Sequence, residues 1–268
     1  MSTASCPWAD GGSPTPTILT DISPVPGESC LDVAATVRAD GFAFVEAALA
    51  EPLLLRCGGL SDWQTFSESW NDLGQDHYLA AVGRHRRRRH AIFHLGAGGF
   101  ELQPHGPHYQ HIQYNPLQGS IQRWFEPMEA RVCGSESMLT ILAFAAKTFG
   151  ELAPATREWK IEAHQFRIEA APGRVGEPTP EGSHRDGVDY VLVLMVDRHN
   201  IRSGTTTIHA AGVELGHFTL RRPLDMAVVD DAKVFHGVTA VEPVDPAAAA
   251  HRDVLVLTFL ALDKVGQN

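Results

Sequence analysis

His184 and Asp186 stand one residue apart in the stretch "SHRDGVDYVLVLMVDR". On an extended chain, residues i and i+2 point to the same face. An imidazole and a carboxylate then converge while Arg185 points away. Downstream, in "DDAKVFHGVTAVEP", His236 is flanked by apolar residues and followed by Gly237, which admits a close backbone approach. Two neutral nitrogens and one anionic oxygen can hold one face of a non-haem Fe(II) ion and leave the opposite face open. A structural zinc site would want four closed ligands, usually with Cys. His-x-Asp alone arises by chance in many chains; the distal His in a strand context strengthens it. Further on, Arg252 opens the apolar run "RDVLVLTF". A guanidinium that enters a barrel needs an anion, and its fork suits a carboxylate. The competing reading is a loop-end arginine paired with Asp253 or Asp245.

These side chains need a scaffold, and the pattern after residue 160 supplies one. "WKIEAHQFRIEA", "VDYVLVLMVD", "GTTTIHA", "VELGHFTL", "LDMAVVDD" and "RDVLVLTFLAL" are short β-type runs separated by Pro, Gly and Asp turns. Such spacing predicts a sandwich or barrel rather than βαβ units. The first half reads differently. Residues 29–82 are mainly helical, with a start at Glu28 and Ser29, a stop at Gly41, and a short strand in "FAFVEAAL". Residues 120–150 predict a helix pair, the second with a stripe at Leu139, Leu142, Ala143 and Ala146 that ends at Gly150. Residues 1–28, rich in Pro, Gly, Ser and Thr, predict a flexible N-terminal arm. The expected organisation is α+β. One domain spans 29–268, with helical support at 29–150 and a β core at about 83–112 and 160–262.

Composition excludes several classes. The net charge of −10 argues against nucleic acid as a partner, since phosphate binding needs a basic surface. No apolar run is long enough to span a membrane. The first thirty residues lack the basic and apolar regions of a signal peptide. Cys6, Cys30, Cys57 and Cys133 are scattered without a CxxC pair, so reduced thiols and a cytoplasmic location are expected.

Other residues remain as candidates. "GRHRRRRH" (83–90) resembles a nucleic-acid patch, but a lone cluster on an acidic chain is a weak footprint, and Glu126 and Glu129 could neutralise it. If this segment is a strand, Arg86 and Arg88 share one face, and Arg88 is a candidate to meet a substrate carboxylate. In "HQFRIEA", His164, Phe166 and Ile168 share one face, Gln165 and Arg167 the other. Gln165 and Arg167 are substrate or cosubstrate candidates if their face looks inward; a solvated face is the alternative. Tyr114 and Asn115 are candidate pocket liners, with Asn115 also suited to a turn. Among Thr205, Thr206 and Thr207, Thr207 is the candidate hydroxyl. His209, His217 and His251 read as surface or loop residues.

The ordered set His184-x-Asp186, His236 and Arg252 in a β-rich C-terminal half resembles the Fe(II)/2-oxoglutarate-dependent dioxygenases. The blocks "QYNPLQGSIQRWFEP", "HQFRIEA", "PTPEGSHRDGVDYVLVLMVDRHNIRSGTTTIH" and "HRDVLVLTF" are similar to the bacterial isoleucine-dioxygenase-like branch, which hydroxylates free L-amino acids. The likeness covers roughly residues 80–262 and leaves out the arm. It implies a double-stranded β-helix, a cupin-like jelly roll with packed N-terminal helices. It also implies Fe(II) on His184, Asp186 and His236, with 2-oxoglutarate as cosubstrate, its distal carboxylate on Arg252, and O2 as oxidant. The substrate implied is a small aliphatic or cyclic L-amino acid. The same chemistry on a carrier-bound or peptidyl residue, a non-redox cupin-like metal-binding module and a nucleic-acid oxygenase are the rival readings. The sequence does not indicate an oligomeric state.

Overall fold

The structure, a computed structural model, describes residues 32–80, 86–115, 117 and 119–262. The expected arm at 1–28 and Arg84 of the arginine cluster lie outside them.

The helices lie in the first part of the chain, interleaved with its first strands: α1 (Val33–Asp40), α2 (Ala47–Leu55), α3 (Trp63–Glu68), α4 (His77–Ala80), α5 (Ala130–Cys133) and α6 (Glu136–Leu152). Asp32 caps α1 by accepting a hydrogen bond from the Ala35 N–H at 2.8 Å. Gly41 ends it in the left-handed region, where a side chain would be strained. The strand that follows stops at Val45, shorter than "FAFVEAAL" suggested, because Glu46 is the N-cap of α2. In the expected pair at 120–150 the first helix is a single turn, α5. The second, α6, is capped by Ser135 and buries Met138, Ile141, Leu142, Ala145 and Phe149. Its buried face is thus turned from the expected stripe, and Leu139 is exposed.

The strands are β1 (Phe42–Val45), β2 (Arg86–Gly96), β3 (Gly99–Leu102), β4 (His108–Tyr109), β5 (Gln122–Arg123), β6 (Trp159–Ala170), β7 (Tyr190–His199), β8 (Ile201–Ser203), β9 (Thr206–Ala210), β10 (Val213–Phe218), β11 (Met226–Asp230), β12 (Phe235–Val238), β13 (Val241–Pro243) and β14 (Ala250–Ala261). The described residues form a seven-stranded sheet in the order β1-β11-β7-β14-β6-β2-β3, all antiparallel, and a three-stranded sheet β10-β9-β12. This is the double-stranded β-helix, with helices packed on the large sheet.

Side-chain alternation divides the large sheet into two faces. On the outer face Ile161, Leu192, Leu255, Leu257 and Phe259 join Trp70 and Phe149 in the main core. The Trp70 indole N–H reaches the carbonyls of Phe166 and Val254 at 3.2 and 3.3 Å, tying the helical layer to β6 and β14. The inner face carries Val191, Val193, Val254 and Val256, which line a cavity between the sheets.

The parity of β6 decides which of its polar residues meet that cavity. Glu162, His164, Phe166 and Ile168 face inward. Gln165 is buried on the outer side and donates to the Ser69 hydroxyl at 2.8 Å. Arg167 also faces outward, opposite Asp253 in the ladder, with a bidentate pair at 2.8 and 2.6 Å. Neither lines the cavity, so the expectation that this face looks inward is corrected. The apolar Ile161 and Ala163 of the same face are claimed by the helix-side core, and Gln165 and Arg167 go with them.

Asp253 is buried, and Arg167 is its counter-charge. Arg167→Met should therefore destabilise the fold by about 3–5 kcal/mol, because it strands a buried carboxylate, whereas Arg167→Met with Asp253→Leu should recover most of the loss. Urea unfolding of the two variants measures this; equal destabilisation by both would show that the pair's charge is not what matters.

Candidate active site

The segment before β7 and the strand β12 build the metal-binding group. His184 and His236 form an isolated antiparallel bridge, each N–H donating to the other's carbonyl at 2.9 Å. The bridge sets the two imidazoles side by side, ring centres 4.6 Å apart. Gly237 permits it: a Cβ there would lie 3.1 Å from the Ser183 Cα. The Asp186 carboxylate completes the set, 3.6 Å from His184 Nε2 and 3.5 Å from His236 Nε2. Cis ligands about 2.1 Å from a common ion stand about 3 Å apart, so a small contraction around a cation suffices. These donors form a facial group of two imidazoles and one carboxylate.

His184 and Asp186 do not converge by strand alternation, as the spacing suggested. They lie in the loop before β7, and Gly187, at φ +81°, turns the chain between them and the strand. Asp231 holds this loop. Its carboxylate accepts the N–H of Asp186 at 2.9 Å, of Gly187 at 2.8 Å and of Val188 at 3.1 Å. Sequence reasoning missed it; the only signal was a second Asp following the strand "MAVVD". Gln110, also missed, donates to the Asp186 carbonyl at 3.2 Å and accepts from Asn115 Nδ2 at 3.0 Å.

The electrostatics follow from burial and proximity. Burial resists charge on His184, but the carboxylates of Asp186 and Glu181 outweigh it and lift the imidazole to about 9. For His236 burial wins over the attraction of Asp186 and lowers it to about 4. Burial alone would raise Asp186, yet the two imidazoles hold it below the usual carboxylate range. Asp231 is pushed up to about 6 by burial and then by the negative charge of Asp186. A cation held by Asp186 offsets that repulsion. His184 Nδ1 donates to the Gly182 carbonyl at 3.0 Å, so Nε2 is the nitrogen turned toward the other two donors, the one that would give up its proton to a bound cation.

Arg252 lies on β14 and lines the same cavity, buried. Its Nε has no hydrogen-bond partner among the described residues. Burial, then the neighbouring Arg198, depress its pKa to about 10, so this end of the cavity favours an anion. Arg88, Tyr114 and Asn115 also line the cavity; the Asn115 side chain additionally accepts from the Leu117 N–H at 3.2 Å and shapes its turn. Thr207 does not reach it. Its neighbour Thr206 does, because β9 presents even-numbered residues to the interior, where Ile208 packs opposite His236. His251 pairs with Asp197 at 2.8 Å and His217 with Glu214 at 2.8 Å, both apart from His184, Asp186 and His236. His209 also stands outside that group. In the arginine cluster, Arg89 is neutralised by Glu129 and Glu126, and Arg87 by Glu169.

Residues 67–258 match the family described as 2OG-Fe dioxygenase, and the chain belongs to it. It is an enzyme of the 2-oxoglutarate-dependent dioxygenase class, whose chemistry uses Fe(II), 2-oxoglutarate and O2. A solved structure of a bsmA homolog from Methylobium petroleophilum PM1 is 36% identical, covering 87% of this chain and 93% of its own, with a TM-score of 0.78. IDO from Bacillus thuringiensis shares the fold at 18% identity, with 90% and 100% covered and a TM-score of 0.69. The Fe(II)/(alpha)ketoglutarate-dependent dioxygenase TqaL does so at 18% identity, with 87% and 86% covered and a TM-score of 0.66. No curated protein matches the chain. No described helix is long and apolar enough to cross a membrane.

The Asp231 clamp yields a test. Asp231→Asn keeps the shape but can accept only through its single carbonyl oxygen. Fe(II) affinity should fall about 10–100-fold, the usual cost of losing a residue that orients a ligand. Anaerobic Fe(II) titration measures it, with circular dichroism to show that the fold persists. Unchanged affinity would mean that the loop holds itself.

Proposed function

We propose that this enzyme hydroxylates an unactivated C–H bond of a small free L-amino acid, aliphatic or cyclic, giving the hydroxy-amino acid, succinate and CO2. His184, Asp186 and His236 would hold Fe(II), and Arg252 would hold the distal carboxylate of 2-oxoglutarate. The donor set fits the ion, with two imidazoles and a carboxylate converging, and the buried, under-bonded Arg252 fits a dicarboxylate. Bound Fe(II), with 2-oxoglutarate and O2, supplies the oxidising power. The chain's own residues do the rest. The inner valines of β7 and β14 exclude water from the reacting region, and Asp231 keeps the Asp186 carboxylate aimed.

The observation that carries the substrate reading is a second cationic wall in the same cavity. Arg88 is fully buried, its guanidinium 3.5 Å over the Phe125 ring, and its Nε has no partner among the described residues. Arg86, Arg123 and Lys160 line the cavity beside it, against the acidic Asp76, Glu162 and Glu181. This surplus of positive charge calls for an anionic group distinct from the one at Arg252, as the carboxylate of an amino acid would supply. The cavity, about 400 Å³, suits a keto acid and one small substrate together. The sequence likeness to the isoleucine-dioxygenase-like branch points the same way. Carrier-bound or peptidyl substrate is the rival, and one observation favours it: Ile112, Leu117, Ile121 and Trp124 are exposed around the segment that forms the cavity's rim.

Incubating the protein with Fe(II), 2-oxoglutarate, ascorbate and each of the twenty amino acids or their cyclic analogues should give succinate and a product heavier by one oxygen atom for at least one of them. Turnover only on peptides or carrier conjugates would overturn the free-substrate reading.

Four substitutions test the roles. Asp186→Ala should abolish turnover and Fe(II) binding while the fold remains, whereas His251→Ala should leave both near wild type. Arg252→Ala removes one side of a charged, buried pair, which costs about 2–5 kcal/mol. The apparent KM for 2-oxoglutarate should therefore rise by tens- to thousands-fold, with the amino-acid KM little changed and only partial rescue by Arg252→Lys. A shift confined to the amino-acid curve would assign Arg252 to the substrate instead.

A further inference from the structure

Beside the iron ligands a second group of titratable side chains meets in the cavity: His90, His108, Glu162 and His164, donor atoms all within 4.8 Å of one another. Its composition suggests a second metal, but the hydrogen bonds argue otherwise. Arg88 donates to His164 Nδ1 at 2.8 Å, and an arginine has no acceptor to offer in return. The His164 proton must then sit on Nε2, the nitrogen 3.8 Å from Glu162, which leaves no lone pair there for an ion. Arg88 and Lys160 add positive charge around Glu162, with Lys160 Nζ at 2.6 Å. The group is better suited to an organic ligand than to a second cation.

The same reasoning sets the tautomer of His108. Glu162 is ionised: burial opposes its charge, but the hydrogen bonds from His108 and His90 outweigh burial and hold it well below the usual carboxylate range. An ionised carboxylate only accepts, so His108 Nδ1, 2.5 Å from Glu162 Oε2, is the donor. His90 Nε2 donates to the same oxygen at 3.1 Å. His108 therefore carries its lone pair on Nε2. Its ring lines the cavity and keeps some solvent exposure, unlike His90 and His164. It is also near enough to Asp186 to act on that carboxylate's charge. A neutral imidazole whose Nδ1 is held by a carboxylate presents its Nε2 as an acceptor of fixed direction.

We infer that the His108–Glu162 pair is the ammonium-reading subsite of this cavity: His108 Nε2 accepts a hydrogen bond from the α-ammonium group of the substrate while Glu162 fixes the ring. The inference rests on the free-amino-acid reading above. It adds that recognition is zwitterionic, with the carboxylate drawn to the Arg88 wall and the ammonium to this pair. Burial, the first cause, holds His108 near 4, so the acceptor stays unprotonated at neutral pH.

The test is anaerobic calorimetry on the Fe(II)- and 2-oxoglutarate-loaded protein. The probes are whichever of the twenty L-amino acids binds tightest and its desamino acid; for leucine that acid is 4-methylpentanoate. Wild type should prefer the amino acid. Glu162→Gln and His108→Leu should each weaken the amino acid about tenfold or more, the scale of one lost charge-assisted hydrogen bond, and leave the desamino acid within about twofold. The desamino acid thus reports whether a variant still has an intact cavity. Equal losses for both probes would make the pair structural only and overturn the subsite, as would no loss for either. If no amino acid binds wild type, the functional reading falls and takes the subsite with it, an outcome distinct from either of those. Wild type also gives an answer without a variant. In Zn(II)-loaded, ¹⁵N-histidine-labelled protein, the Nε2 resonance of His108 should move on adding the amino acid and stay on adding the desamino acid; equal movement with both sinks the inference.

Discussion

Three consecutive backbone N–H groups, those of Asp186, Gly187 and Val188, converge on the carboxylate of Asp231. That interaction anchors the site. The loop carrying His184 and Asp186 is not part of a ladder beyond a single bridge to His236, so it has few bonds of its own to define its path. Asp231 sits at the end of β11, an inner strand of the large sheet, and passes the rigidity of that sheet to the loop. A buried carboxylate with three N–H donors is stable enough to serve, even with the Asp186 charge beside it. The arrangement also places a second negative charge behind the Asp186 carboxylate, which makes the group more attractive to a cation.

The cavity is a chamber with two electrostatic ends and an apolar middle. Arg252 and its neighbour Arg198 make one end attractive to an anion. Arg88, Arg86, Arg123 and Lys160 make the other wall cationic, tempered by Asp76 and Glu162. Between them lie valines from β7, β11 and β14. Charges buried at such density are costly unless each has a partner. The Arg86–Asp76, Lys160–Glu162 and Arg167–Asp253 pairs show how most of that cost is offset within the chain. Arg88 and Arg252, each with an Nε that has no hydrogen-bond partner among the described residues, line the cavity.

Similarity between the two histidine groups is only compositional. In the first, His184 Nδ1 is committed to a backbone carbonyl and Nε2 is left for a cation. In the second, His90 and His108 give their N–H groups to Glu162, and His164 accepts from Arg88. The same residue types thus sit in opposite hydrogen-bond settings, with a nitrogen turned toward a carboxylate and a second imidazole in one place and ring nitrogens committed to Glu162 and Arg88 in the other. The hydrogen-bond partners distinguish them, not the side chains themselves.

The sequence by itself determined the donor types, their order along the chain and the strand-rich second half. Metal chemistry resides in side-chain identity, and the inner and outer alternation of β7 and β14 is written in runs such as "VLVLMV". Arg252 and Arg88, both candidates on sequence grounds, line the cavity. Tertiary structure alone decided the parity of β6, the choice of Thr206 over Thr207, and the buried face of α6. Each of those depends on which layer packs against which side, and local pattern is symmetric to that choice when both faces carry mixed residues. It also decided the loop geometry of His184 and Asp186, where a positive-φ glycine and a carboxylate forty-odd residues away replaced the expected strand. Asp231, Gln110 and the His108–Glu162 pair were illegible for the same reason: their partners are distant in sequence, and only the closing of one sheet over the other brings them together.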